Sequence, residues 1–218
     1  MLLLAASSAS APAQGHVDLA VALLREHRGE ISLAALEFGQ PPRLLASVIF
    51  AERSSNVRSG KTFAEEVTAH CGFDSSLGIA QVKVSTAHWI EEHLRDLDFY
   101  GVVNDATMLR MGGGSRRGGL IARLNEPSTN LLYAAAYVAL IRQAWAPVLQ
   151  MQEMASRRAG LIATLYSLGL VRSDGSLRLP HPNPELNRFG EIAQGFYDGL
   201  LLREEFSSLP LGPQAAGE

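Results

Sequence analysis

Glu52 is the residue of this sequence best placed for acid–base chemistry. It follows Leu45, Val48 and Ile49 by seven, four and three residues, and a helix puts all of these on one face. A carboxyl held against an apolar face resists ionisation, which raises its pKa toward the range where it can deliver a proton near neutral pH. The plainer role open to it is to end the helix and reach water. Asp74 is a second carboxylate, standing just before Ser75-Ser76-Leu77-Gly78; its short side chain also suits an Asx turn. Glu65 and Glu66 are further carboxylates in the same region. Gln81, three residues after Gly78, has an amide that both donates and accepts, fit either to hold a polar ligand or to satisfy its own loop. Tyr166 carries an apolar ring and a polar tip, fit for a site or for the core. The six histidines include no HExxH pair, and His88 and His93, five apart, do not share a helix face. No metal and no cofactor are expected. Cys71, beside His70, is the only cysteine, so no intrachain disulfide can form; it reads as a small buried thiol rather than a nucleophile.

These residues need elements to hold them, and the periodicity supplies helices. Val17 to His27 carries apolar residues at helical spacing, and Ile31 to Phe38 makes a second short helix that Ser32 is able to cap. Gly39 closes that segment, and Pro41-Pro42 opens the helix bearing Glu52, since proline in a first turn forfeits no hydrogen bond. Between Ser54 and Ser76 no apolar period appears, and Ser75 to Gly78 reads as a turn. From Ser85 an amphipathic helix lines up Ala87, Ile90, Leu94 and Leu97, with Glu91, Glu92, Arg95 and Asp96 facing away, and Gly101 near its end. Met111 to Gly119 is a glycine-rich loop without the Gly-Lys-Ser/Thr of a phosphate-binding loop. It reads as an ordinary mobile connection, or as a rim offering Arg116 and Arg117 to carboxylates. Thr129 or Asn130 suits the N-cap of the next helix, whose face of Leu132, Ala135, Ala136, Ala139 and Leu140 permits close approach and places it at the centre. Pro147 breaks it. Met151 to Leu168 is a further helix capped by Gly169, Asp174-Gly175 is able to close a short hairpin, and Phe189, Ile192, Ala193, Phe196 and Leu200 mark a last helix.

Composition narrows the partners. The chain has 218 residues, 47% hydrophobic and 19% charged, with a formal net charge of −3, which fits one globular domain and gives no basic footprint for nucleic acid. The same charge provides no long-range attraction to an anionic polymer, so a shaped cleft must do the binding. No stretch reaches the roughly 18 apolar residues of a membrane span. The apolar start, Met1-Leu-Leu-Leu-Ala-Ala, and the Ala11-Pro-Ala13 beyond it have the look of a signal remnant, but no Lys or Arg precedes them. A periplasmic or secreted location is one expectation and a cytoplasmic one the other; oligomeric state is left open.

Read in order, Gly39 to Pro42, a helix ending in Glu52, Gly78-Ile-Ala-Gln81 before Thr86-Ala87, Asn130 before Ala134-Ala-Ala-Tyr137, and Ala163-Thr-Leu-Tyr166-Ser-Leu-Gly169 resemble the lytic transglycosylase and goose-type lysozyme superfamily. The resemblance implies a mainly helical, all-α, lysozyme-like domain with a substrate cleft; the chain's own pattern gives that domain residues 16–206, between a disordered start or signal remnant, 1–15, and a disordered tail, 207–218. It implies cleavage of peptidoglycan at the MurNAc–GlcNAc β-1,4 bond. Glu52 would be the catalytic acid, Gln81, Tyr166, Gly78 and Ser54 would bind substrate, and Asp74 is the candidate second carboxylate. Lytic transglycosylases work with one glutamate and let the sugar's 6-hydroxyl attack; goose-type lysozymes add a carboxylate that positions water. Two positions depart from the pattern: Arg53 stands where serine usually follows the glutamate, and Ser167 where asparagine follows the tyrosine. They motivate an alternative, a catalytically silent lysozyme-fold protein that binds glycan or a protein partner.

Overall fold

A computed structural model describes residues 11–55, 74–96, 107, 110–112 and 117–207. The expectations for residues 1–10, Glu65, Glu66, His70, Cys71, Leu97, Gly101, Arg116 and the tail after 207 lie outside them. The described chain is mainly helical: α1 (Ala11–Glu26), α2 (Arg28–Glu37), α3 (Pro42–Ser55), a two-stranded antiparallel ribbon of β1 (Ser76–Leu77) and β2 (Val82–Lys83), α4 (Val84–Asp96), α5 (Arg117–Asn125), α6 (Pro127–Ala144), α7 (Ala146–Leu149), a 3₁₀ segment (Gln152–Arg157), α8 (Arg158–Leu168) and α9 (Arg188–Asp198).

Two helices form the core. In α3 every residue from Pro42 to Ala51 is buried, and in α6 every residue from Thr129 to Ile141. A helix apolar all round has no solvent face and belongs at the centre, and α6 sits there. Helices α1, α2 and α9 pack on α3, while α2, α5 and α8 pack on α6. Helices α8 and α9 meet most closely where Gly190 faces Gly160: a Cβ on Gly190 would lie 2.1 Å from Thr164 Oγ1 and 2.4 Å from the Gly160 carbonyl.

The entry of α2 differs from expectation. The helix starts at Arg28, so Ser32 lies inside it; His27 takes the N-cap position without a side-chain cap and pairs with Glu30 instead. Gly39, at φ +60°, then turns the chain into α3. Arg43, buried within α3, reaches the last turn of α9. It donates to the carbonyls of Phe196, Tyr197 (2.8 Å), Gly199 (2.8 Å) and Leu201 (3.1 Å), and its guanidinium lies 4.9 Å from the centre of the Phe196 ring. Among the described residues no carboxylate bonds to it; the carbonyls at the negative end of α9 take that place. Removing this buried cation frees several acceptors at once, so Arg43→Met is expected to cost about 3 kcal/mol in chemical denaturation. A loss under about 1 kcal/mol would show that water replaces it freely.

The start of α6 also corrects the expected cap. Pro127 takes the first helical position, which moves the helix start ahead of Thr129 and Asn130, and Glu126 becomes the N-cap. Its carboxylate accepts from the Ser128 and Thr129 amides (3.1 and 2.6 Å) and from the Ser128 hydroxyl (2.9 Å). Burial alone would raise its pKa, but these bonds outweigh it and bring the value from 4.5 down to about 2. A depressed pKa means the stabilisation is complete above the unfolded value and is lost as pH falls from about 4.5 toward 2. Because Glu126 is exposed, its share is discounted to about 1 kcal/mol. Glu126→Gln is therefore expected to lower stability at pH 7 by that amount and to flatten the pH dependence of unfolding below pH 4.5; an unchanged acid limb would contradict the assignment.

Further differences have long-range causes. Glu91 does not face away: it is 6% exposed, accepts from Arg123 of α5 at 2.8 Å and from the Tyr133 hydroxyl of α6. Helix α5 itself, opening on Arg117-Gly118-Gly119, hides within a stretch that reads as loop. The expected helix from Met151 divides into the 3₁₀ segment and α8, and Leu200 falls beyond α9, 81% exposed. Gly169 caps α8 at φ +82°, and the Asp174-Gly175 turn closes a bridge between Val171 and Leu177.

Candidate active site

A cleft of about 1150 Å³ opens beside the end of α3, and Glu52, Asp74, Gln81 and Tyr166 all line it. Glu52 is half-buried, and its three apolar helix neighbours Leu45, Val48 and Ile49 are fully buried. The burial that the spacing required is therefore present.

The turn from Leu77 to Gln81 is held by side chains of three helices. Asn130 of α6 donates to the Leu77 carbonyl (2.9 Å) and accepts from the Ala80 amide (2.8 Å); it also donates to Leu124 O (2.9 Å). Arg53 of α3 donates to the carbonyls of Gly78 (3.0 Å) and Ile79 (2.8 Å). The Tyr166 hydroxyl of α8 donates to Ala80 O at 2.9 Å. These bonds hold Gln81 at φ +51°, a left-handed conformation unusual for a side chain with a Cβ. Strain of this kind persists only where the surroundings over-determine the backbone. The Gln81 amide nitrogen donates to Gly78 O at 3.0 Å.

Tyr166 lines the cleft and is buried. Burial is the main cause that pushes its acidity well below that of a free phenol, and the charge of Glu52 adds to it. Its proton is therefore secure, and the hydroxyl acts as a donor. Tyr137 stands 5.4 Å from Tyr166, ring centre to ring centre, and Trp89 6.2 Å from Tyr137. Together they form an aromatic row among the residues that line the cleft. The Tyr137 hydroxyl accepts from the Leu170 amide at 2.7 Å, and burial raises its pKa to about 12.

Two residues of the expected set have other placements. Ser54 does not line the cleft; its hydroxyl donates back to Phe50 O at 2.7 Å within α3. Gly78 stays out of the cleft wall and serves by its backbone, at φ +74°. Asp74 faces the cleft, but it caps α4 rather than forming a local Asx turn: its two oxygens accept from the Ser85 amide (2.9 Å) and hydroxyl (2.8 Å). Arg117 is exposed on α5 and is not part of the cleft. Ser167 is part of it, and its hydroxyl accepts from Asn187 at 2.8 Å. Sequence reasoning missed the grip of Arg53 on the turn and the aromatic row. Tyr137 entered only as part of the stretch from Asn130 to Tyr137, and Trp89 gave a signal only as an aromatic residue on the helix after Gln81. Among the described residues no group of His, Cys, Asp or Glu is arranged to hold a metal ion, and no helix is long and apolar enough to cross a membrane.

Comparison with known proteins finds no matching family model, no matching curated protein and no matching solved structure. The functional reading therefore rests on the residues and their geometry.

Proposed function

We propose that the protein is a peptidoglycan-cleaving glycosidase of the lytic transglycosylase kind, acting on the MurNAc–GlcNAc β-1,4 bond with Glu52 as its single catalytic carboxyl. The observation that carries this is the convergence of Glu52, Gln81 and Tyr166 on one cleft, large enough for several sugar rings and lined in part by aromatic side chains.

Glycoside cleavage needs a proton at the leaving oxygen and stabilisation of an oxocarbenium-like centre. Glu52 gives its proton to the glycosidic oxygen as the C1–O bond breaks. The resulting carboxylate then takes the proton of the substrate's own 6-hydroxyl as that oxygen bonds to C1, closing a 1,6-anhydro ring. No atom is left over, and Glu52 returns to its acid form. Asp74 has a structural task in this reading: both of its oxygens accept from Ser85 and brace the start of α4. The internal hydroxyl holds a large proximity advantage. Gln81, with its nitrogen turned to Gly78, offers its carbonyl oxygen to a substrate hydroxyl or amide. Such a protein would meet its substrate in the periplasm or outside the cell.

Zymography against purified cell walls tests the reading. Clearing by the wild-type chain is the expected outcome. Retention on insoluble glycan with no clearing would instead favour the silent binding protein, and neither clearing nor retention would remove both.

A further inference from the structure

The side chains that grip the turn before α4 are not equivalent. Its ends, Leu77 and Ala80, are held by Asn130 of α6 and Tyr166 of α8. Its middle is held by Arg53, which donates from Nη2 to Gly78 O at 3.0 Å and from Nε to Ile79 O at 2.8 Å. In an extended strand successive peptide groups alternate in direction; this turn, with Gly78 at φ +74°, presents two successive carbonyls to one guanidinium. The planar fork of arginine serves both at once, whereas an ammonium is a single point of charge and a serine hydroxyl has one hydrogen to give.

Arg53 and Gln81 meet at the Gly78 carbonyl. The same oxygen accepts from Gln81 Nε2 at 3.0 Å and from the Gln81 backbone amide at 3.4 Å. A carbonyl oxygen has no hydrogen to give, so only the nitrogen end of the Gln81 side-chain amide bonds there, and the carbonyl end is left for a ligand. Among the described residues that end has no partner, and Gln81 lines the cleft. Arg53 does not line it. It directly follows Glu52 on α3, so one helix end carries both the acid and the clamp on the turn.

We infer that Arg53 is a positioning residue: by fixing Gly78 O it presents the Gln81 carbonyl oxygen to a hydrogen-bond donor of the substrate, an acetamido N–H or a sugar hydroxyl, in one frame with Glu52. This rests on the glycan-cleaving reading of the cleft and adds to it the group that sets a substrate contact. Arg53 acts through Gln81 and not on the substrate. Asn130 and Tyr166 keep the ends of the turn when Arg53 is changed, so the contact is lost before the fold.

A double-mutant cycle tests this, with binding read by calorimetry in the Glu52→Gln protein so that nothing is turned over, and a GlcNAc–MurNAc tetrasaccharide as the probe. Arg53→Lys keeps the charge and loses the fork; Gln81→Ala removes the amide. Each is expected to weaken binding about tenfold, and both together by no more than about tenfold, because the second change removes a contact already gone. A loss of about a hundredfold in the double variant, the product of two independent effects, would overturn the inference, as would unchanged binding in Arg53→Lys. Arg53→Gln, which retains one donor, replaces the lysine variant should that one not fold, with the same result expected; failure of both to fold would overturn the inference, since Asn130 and Tyr166 would then not hold the turn. Heteronuclear NMR of the ligand-free protein reads the coupling without a glycan. One hydrogen of the Gln81 side-chain amide is expected outside the range of free glutamine amides, and back within it in the Arg53 variant. A wild-type signal already in that range, or one the variant leaves in place, would overturn the inference. If the Glu52→Gln protein does not bind the tetrasaccharide, the glycan reading falls and the spectrum alone decides the role of Arg53.

Discussion

Gly78→Ala is expected to destabilise the protein by about 4 kcal/mol or more and to abolish the cleft's binding function with it. A Cβ at this position would lie 2.3 Å from Asn130 Nδ2, 2.4 Å from its Cγ and 2.4 Å from the Leu124 carbonyl, with the backbone at φ +74°. The left-handed conformation alone costs about 1 kcal/mol for alanine, and overpacking a close contact typically adds 1–3 kcal/mol. The clash cannot be relieved cheaply, because Asn130 is fully buried and bonded to Leu77, Ala80 and Leu124. Pushing it aside leaves buried donors and acceptors unpaired, at about 1–3 kcal/mol each. Chemical denaturation measures the loss. A change below about 1.5 kcal/mol would show that the turn shifts as a unit and that Asn130 does not hold it.

Glu52→Gln is expected to reduce wall-cleaving activity by 10² to 10⁴, the range of a positioned general acid, and to leave the fold intact. The amide keeps the shape of the carboxyl and is easier to bury half-covered among apolar neighbours. The melting temperature is therefore expected to stay within about 3 °C of the wild type. A much larger fall would mean that Glu52 is chiefly an ion-pair partner in the fold. Activity retained within tenfold would mean that the acid lies elsewhere.

The helices of this fold were legible because apolar residues recur at helical spacing. Leu45, Val48 and Ile49 marked α3, where in fact every residue from Pro42 to Ala51 is buried, and the alanine-rich stretch of α6 marked it as the central helix. What was not legible depends on partners distant in sequence. Glu91 reads as a solvent-facing charge on α4 until Arg123 and Tyr133 close over it, and Arg123 lies on a helix that begins with two glycines. Asn130 has the right residue type for a cap, yet Glu126 and Pro127 claim that place and free its amide to brace the turn at Leu77 to Ala80. Arg53 appeared as a departure from the transglycosylase pattern; in the structure it ties the end of the Glu52 helix to the carbonyls of Gly78 and Ile79. At the candidate site, spacing along the helix singled out Glu52 and the turn singled out Gln81 as candidates, and both line the cleft. The wall residues Lys83 and Arg172 carry no local signature, because only the fold brings β2 and the hairpin after α8 to the same cleft.

The central claim is that Glu52 alone drives cleavage by the substrate's own hydroxyl. Mass spectrometry of the soluble products from purified peptidoglycan, digested in parallel by the wild type and Glu52→Gln, tests it most directly. The account predicts 1,6-anhydromuropeptides, lighter by one water than their reducing counterparts, from the wild type and almost none from the variant. Reducing-end muropeptides from the wild type, or the same products in similar yield from Glu52→Gln, would contradict it.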